Sequence, residues 1–443
     1  MFTPPLARTP GESDAFREHL LSSVWSGISA GIFLLGDVIL AKTLNAPAWQ
    51  ITLLATLGPA ANLFSFYWAG QIQGRRKAGA FLLGGLFGRL SLGFLLLWRS
   101  TTCLIAVTLL YNIATGLVIT ATNTLLQTRY PEDSRPVRFG FATSIASIAS
   151  ILAAQAAGYV LGLRETAYPW LFAISGITGL ISTYHLFRME RTAEEPSGPM
   201  SWIRLGLQSL RSRLVPIPGD VKHPGLHDSL ALARRIFRDN PEFVRFERDF
   251  MIYGFAFLSV LPILPIYIVR DLTMSYVQLS ATKGLWALIG QVVLSPVLGI
   301  ALGRLRPLRF TGRAFLLLAL YPLCLLVSTL PGLAHPTRLL CVYAALFFFS
   351  IAMAGVNLSW TLGSMHFARN EEASGFQGLH VTLTGVRGLL APSLGYLVYS
   401  LLGSGAVFAF STLLFLAAGL LMLRHDTQDR RRRVAGSAPS PCS

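Results

Sequence analysis

The sequence predicts an all-α membrane protein of twelve transmembrane helices in two pseudo-symmetric halves of six. Three observations carry that prediction. The chain is 53% hydrophobic and only 13% charged, against about 25% charged residues in an ordinary soluble domain. Its apolar residues gather into about a dozen blocks of roughly 18–26 residues, each able to cross a hydrocarbon layer ~30 Å thick at ~1.5 Å per residue. The Lys and Arg residues, finally, concentrate in alternate loops. The first two observations exclude soluble globular, disordered and disulfide-scaffold classes. The blocks are too long for barrel strands and do not alternate, so they are helices.

In chain order the first span, 20–44, holds the pair Gly27/Gly31 and Asp37. It is too long for a signal-peptide core and lacks a clear cleavage site, so it stays as a helix. The second, 48–69, holds Asn62, and the third, 78–98, holds Gly84/Gly88 and Arg89. The fourth, 101–126, carries Asn112 and Asn123; the fifth, 139–162, carries Gln155 and Gly158/Gly162; the sixth covers 168–187. After a polar linker, 188–248, the seventh, 249–269, contains Pro262 and Pro265, and the eighth, 276–302, contains Lys283, Gln291 and Pro296. The ninth is 314–331, the tenth, 339–362, carries Asn357 and Trp360, the eleventh, 375–401, carries His380, Arg387 and Pro392, and the twelfth is 405–423. Glycines four apart let helices approach closely, and intramembrane prolines permit bends. The expected domains are thus an N-terminal segment 1–19, the halves 20–187 and 249–423, the linker 188–248 and a disordered tail 424–443.

With both termini on one side, the loops there hold 29 Lys and Arg, and the opposite loops hold five. This positive-inside asymmetry places both termini and the linker in the cytoplasm of a multi-pass inner-membrane protein. The net charge of +16 is an orientation signal, and no nucleic-acid partner is expected. Cys103, Cys324, Cys341 and Cys442 show no paired or metal-ligating spacing, so neither a metal nor a cofactor is expected.

The halves echo each other. Gly70-x-x-x-Gly74-Arg75-Arg76 closes the second span and Gly299-x-x-x-Gly303-Arg304 the eighth; Phe139 and Gly158-Tyr159 are spaced like Phe376 and Gly395-Tyr396; Arg129 matches Arg369. Such a parallel repeat belongs to one large class of secondary carriers. On these residues, and on the loop Gly70-Gln71-Ile72-Gln73-Gly74-Arg75-Arg76-Lys77, the chain resembles the major facilitator superfamily over nearly its whole length. The loop looks like a degenerate form of the family's signature, with Gln73 about where an acid is expected. Asn240-Pro241-Glu242-Phe243 and the Pro262/Pro265 pair also resemble bacterial members. The resemblance implies a carrier working by alternating access, with spans 1, 4, 7 and 10 lining the cavity, spans 2, 5, 8 and 11 behind them, and span 3 at the periphery.

Charges at helix depth cost at least ~2.5–3.5 kcal/mol on insertion scales, so each invites a function. Asp37, about seven residues inside the outer end of its helix, reads as the only acid in the twelve spans and as a protonatable coupling site. Lys283 lies at a similar depth, and an Asp37–Lys283 pair would form an outer gate; the alternative for Lys283 is snorkelling to the surface. Arg387, about twelve residues into its helix and flanked by Gly385 and Gly388, suits bidentate recognition of a substrate carboxylate or phosphate. His380, two turns earlier, is a proton shuttle or a core residue. Arg89 reads as a structural anchor. The resemblance makes Asn112, Asn357 and Trp360 candidate wall residues, the last two sharing a helix face at i, i+3.

In the linker, Trp202, Ile203, Leu207, Leu210 and Leu214 with interleaved Arg204, Arg211 and Arg213 suit a basic amphipathic helix on anionic lipid. A second helix over 228–239 is expected, capped by Asp228. No phosphate-binding loop, zinc-protease motif or nucleophile elbow occurs, so no enzyme activity is expected. The expected function is secondary active transport of a small solute by alternating access, most simply proton-coupled through Asp37. Three buried basic side chains against one acid tilt it toward an organic anion or acidic amphiphile. Export of hydrophobic compounds, and a non-transporting assembly or sensor role on the same fold, stay open.

Overall fold

The apolar spans fold as helices, and local signals explain where their ends shift. The computed structural model describes residues 10–64, 68, 76–131, 134–191, 198–214, 226–294, 307–362, 367 and 373–436, and among these every regular element is helical. Residues Gly70–Arg75, Pro296, Gly299–Arg304 and Arg369, on which part of the repeat reading rests, lie outside the described residues.

The first helix, α1, runs Pro10–Phe33 and, after a break at Leu34–Leu35, continues as Gly36–Lys42. There follow α2 (Ala48–Ala61, closing in a tight turn over Asn62–Phe64), α3 (Ala78–Leu96), α4 (Thr101–Arg129), α5 (Arg135–Leu163) and α6 (Tyr168–Glu190). Two linker helices come next, α7 (Pro199–Leu214) and α8 (Leu226–Asp239). Then α9 runs Pro241–Val260 and on to Asp271, followed by α10 (Tyr276–Leu294), α11 (Pro307–Leu318 with Leu320–Ser328) and α12 (His335–Leu362). Ala373–Gly436 is two helices meeting at Gly403, whose φ of 81° suits glycine alone; they are α13 before it and α14 after it. Ten segments of the described residues are long and apolar enough to cross a membrane, the last containing both α13 and α14. Within the described residues α2 falls short of that length.

Besides shifts of a few residues at other helix ends, the main departures from the sequence reading are these. The seventh span begins at Pro241 rather than 249, because Asn240-Pro241 is a helix start: proline at the first position loses no hydrogen bond there. Asp228 is not a cap, since α8 already begins at Leu226. The tail expected to be disordered is helical to Gly436, since Thr427–Val434 contains no Gly or Pro and four good helix-forming arginines. The basic linker helix is also not simply laid on lipid. Trp202 is buried against Phe187 and Tyr184, and Gly206 and Ser209 pack on Leu82 and Gly79 of α3. Ile203 and Leu207 of the same helix stay exposed.

Inside the first half α1 packs on α5 and α6, and α3 on α4 and α6; inside the second α9 packs on α13, and α11 on α12 and α14. The halves meet along α2–α13, α5–α10 and the C-terminal ends of α1 and α9. Exchanging spans 1–6 with 7–12 maps the first of these contacts onto the second and the third onto itself, as a duplicated unit requires. The outer surface is strongly apolar: Leu152, Leu163, Leu340 and Leu413 are each at least 66% exposed. In water such a surface would aggregate; against hydrocarbon it is solvated.

Candidate functional site

The site is built at the N-terminal part of α9, where aromatic rings set the backbone. Tyr253 stacks on Phe315 of α11 at 4.4 Å and 2°, and Phe250 meets the same ring edge-on at 5.1 Å. Phe243 and Phe246 pack on Phe367, and Phe243 also on Phe376. This packing turns Glu247 toward α13, where its Oε1 meets His380 Nδ1 at 2.8 Å, both side chains being almost fully buried. Glu247 Oε2 and His380 Nε2 are buried without a hydrogen-bond partner among the described residues.

Two turns beyond His380 on α13 stands Arg387, 2% exposed. Its Nη1 donates to the Phe250 carbonyl at 2.6 Å and its Nη2 to Thr384 Oγ1 at 2.7 Å, while Nε has no partner. Thr384 Oγ1 also accepts from Trp360 Nε1 at 3.3 Å and donates to the His380 carbonyl at 3.0 Å. Among the described residues no carboxylate lies within ion-pair distance of Arg387. Gly254 makes room for its stem, because a Cβ there would stand 2.1 Å from Arg387 Cδ. The guanidinium faces a cavity of about 310 Å³ between α2, α9, α12 and α13. Its polar wall is Asn62, Asn357, Thr384 and Arg387; Tyr253, Phe257, Met353 and Trp360 supply much of the apolar wall. A cavity of this size with few convergent polar groups lies at the lower end of the range of small-molecule pockets.

At the end away from α7 and α8 a second constellation joins the halves. Asp37, just past the break in α1, is ion-paired and hydrogen-bonded to Lys283, which sits on a widened turn of α10. Around it the Thr43 and Tyr276 hydroxyls bond each other, Arg270 Nη2 donates to the Ala46 carbonyl at 2.5 Å, and Ser280 Oγ donates to Gln155 Oε1 at 2.7 Å.

A family model described as the Major Facilitator Superfamily matches residues 20–392. The chain belongs to the major facilitator superfamily. A search of curated proteins finds no match. Among solved structures it is similar to a mutant of the nucleoside transporter NupG, with TM-score 0.63 and 15% identity over 93% of this chain and 99% of that one. It is also similar to a bacterial homologue of the human drug peptide transporters PepT1 and PepT2, with TM-score 0.66 and 16% identity over 95% and 99%. A third, a POT family transporter in complex with 5-aminolevulinic acid, gives TM-score 0.68 and 15% identity over 93% and 96%. These likenesses establish the superfamily's all-helical fold. Family and neighbours are transporters, not enzymes.

On this superfamily fold the sequence-derived residues separate into groups. Arg387, Asn357 and Trp360 share the cavity, with Asn357 Nδ2 3.3 Å from Gln291 Oε1. His380 lies behind the wall, paired with Glu247. Asp37 and Lys283 form the outer pair. Asn112 is not on the wall: its Nδ2 donates to the Thr108 carbonyl at 2.9 Å, and its Oδ1 packs where α4 meets Gly58 of α2. The cavity is also lined differently from the family expectation, by spans 2, 7, 10 and 11 rather than 1, 4, 7 and 10. Arg89 is an anchor, its guanidinium 4.1 Å from the Tyr111 ring centroid and its stem against Gly179.

Asp37 is not the only acid at helix depth. Glu18, Glu247 and Asp249 are all buried; Glu18 pairs with His185 and Arg188, and Asp249 with His425 and Arg248. Asp249 already opened the expected seventh span, and Asn240-Pro241 was the signal that would have brought Glu247 in. Gly254 and Thr384 carry no sequence signal of their own, since only the neighbouring helix gives them a role.

Proposed function

We propose that the protein is a secondary active transporter that moves a small organic anion with an apolar or aromatic body by alternating access. Both termini and the linker then lie in the cytoplasm. Arg387 is the observation that carries the reading. Removing one partner of a buried ion pair costs about 3–5 kcal/mol, yet among the described residues this guanidinium, buried beside a cavity, has only a carbonyl and a hydroxyl as hydrogen-bond partners and the Phe250 and Tyr253 rings at 5.8 Å. A ligand carboxylate supplies a direct ionic partner, bound by the remaining N–H groups with fork geometry. The aromatic wall holds the apolar body, and Asn62 and Asn357 orient polar substituents. The bridging contacts at the outer ends of α1, α5, α9 and α10 fit a state closed to the outside, with Asp37–Lys283 as its latch.

Counterflow in proteoliposomes tests this, using a panel of organic anions, cations and neutral solutes. Arg387→Ala is expected to lower anion flux at least ~30-fold, the equivalent of about 2 kcal/mol, and Arg387→Lys is expected to recover only part of it because a lysine lacks the planar fork. Anion flux indifferent to both substitutions overturns the assignment. The largely apolar wall also suits an exported hydrophobic compound; flux of a neutral amphiphile, insensitive to Arg387→Ala, would select that reading.

A further inference from the structure

We propose that Glu247 and His380 together form the proton-loading site of this transporter, neutralising the substrate anion at Arg387 so that one proton travels with one anion. The proposal rests on the reading of Arg387 as the anion site. It moves proton coupling away from Asp37, where the sequence alone places it.

Geometry links the pair to the guanidinium. Phe250, whose carbonyl holds Arg387 Nη1, packs its ring edge-on against His380 at 4.9 Å. Thr384 receives Arg387 Nη2 and donates to the His380 carbonyl. An anion that draws on the guanidinium therefore acts on the backbone that holds both members of the pair.

Charge supplies the driving force. With Glu247 ionised, Arg387 cationic and His380 neutral, the cluster sums to zero. The groups facing it are the phenol of Tyr253 and the rings of Phe246 and Phe250 on α9, and Trp360 on α12. The other described charges nearby are held elsewhere: Asp249 and Arg248 by His425 on α14, and Arg309 on α11 by Asp426. A monoanion entering the cavity would leave the buried cluster at minus one, and an isolated charge in a low-dielectric interior is costly. One proton taken from water restores neutrality, and no bond in the substrate changes. The two buried acceptors without a donor, His380 Nε2 and Glu247 Oε2, are where it can sit. Asp37 has no such demand, because Lys283 already neutralises it.

The test uses the full-length protein in nanodiscs, in weak buffer with a pH indicator, titrated with benzoate, indole-3-acetate and hexanoate. Wild type is expected to take up about one proton per anion bound. Its Kd is expected to rise about tenfold per pH unit wherever the pair is unprotonated, as linkage demands. Glu247→Gln and, independently, His380→Gln are expected to abolish the uptake and flatten the pH slope, whereas Asp37→Asn is expected to keep the slope. Anion binding without proton uptake by wild type overturns this inference alone and needs no variant to fold. A slope kept in Glu247→Gln and lost in Asp37→Asn also overturns it and returns coupling to Asp37. Absence of binding by every anion overturns it together with the anion reading of Arg387.

Discussion

A single missing side chain holds the candidate site open. Arg387 can cross between α13 and α9 only because residue 254 is glycine, and a Cβ 2.1 Å from its Cδ cannot be accommodated without moving the arginine or the helix. Gly254→Ala is therefore expected to reduce anion affinity by at least ~10-fold, or about 1.4 kcal/mol, while the protein still folds. Isothermal titration against the same anions, beside a thermal melt, separates the two effects; unchanged affinity in a folded variant would show that the stem has another path. Legibility at this scale followed charge. Arg387, Asp37 and Lys283 stood out because ionised groups in apolar spans are rare. Glu247 was hidden by a helix start set eight residues late. Gly254, one of 40 glycines, acquires meaning only when α13 is laid beside it.

Among elements, the glycine pairs at i, i+4 do what their spacing implies, each against an identifiable partner. A Cβ on Gly27 or Gly31 would meet the carbonyl oxygens of Ala146 and Ser150 at 2.2 Å, so α1 and α5 touch backbone to backbone. Gly84 and Gly88 serve α3 against Val118 and Ala114 of α4, and Gly158 serves α5 against Ser280 of α10. Backbone cannot give way as a flexible side chain can, and overpacking costs typically ~1–3 kcal/mol. Gly31→Leu is expected to lose at least that much, read as a clear fall in the unfolding midpoint in detergent. Gly93→Ala, with nothing within 4 Å of its new Cβ, is expected to stay within about 0.5 kcal/mol of wild type. Equal effects at both positions would mean that helix propensity, not contact, decides. Which helices each pair would join was not legible, because spacing defines a face and topology defines what the face meets. The linker helix α7 illustrates the same limit. Its periodicity predicts one lipid-facing stripe, yet Trp202 and Ser209 turn toward α3 and α6, leaving Ile203, Arg204, Leu207 and Arg211 exposed.

For the molecule as a whole, the two ends are held differently. At one end each half carries its own clasp: Arg17-Glu18 with His185 in the first, Arg248-Asp249 with His425 in the second. The repeated Arg-acid dipeptide and its histidine partner are a trace of duplication more specific than the glycine loops, and neither clasp ties one half to the other. At the opposite end, the outer one on the proposed orientation, the described polar contacts do cross between halves, and Asp37–Lys283 is the one made of opposite charges. Its side chains are 16% and 14% exposed, so removing one partner leaves the other charge poorly solvated and the closed outer end disfavoured. In a background with the four native cysteines replaced by serine, Ala46→Cys reports on that end, since residue 46 is 1% exposed in the closed arrangement. Labelling by an impermeant maleimide is expected to be slow, several-fold faster with Asp37→Asn or Lys283→Gln, and slowed again by the exchange of Asp37→Lys with Lys283→Asp. Because the exchange restores the pair while reversing its polarity, recovery can come only from the bond between the halves. Labelling as fast in the exchange as in the single variants would leave Thr43–Tyr276 and Arg270–Ala46 holding the outer end shut.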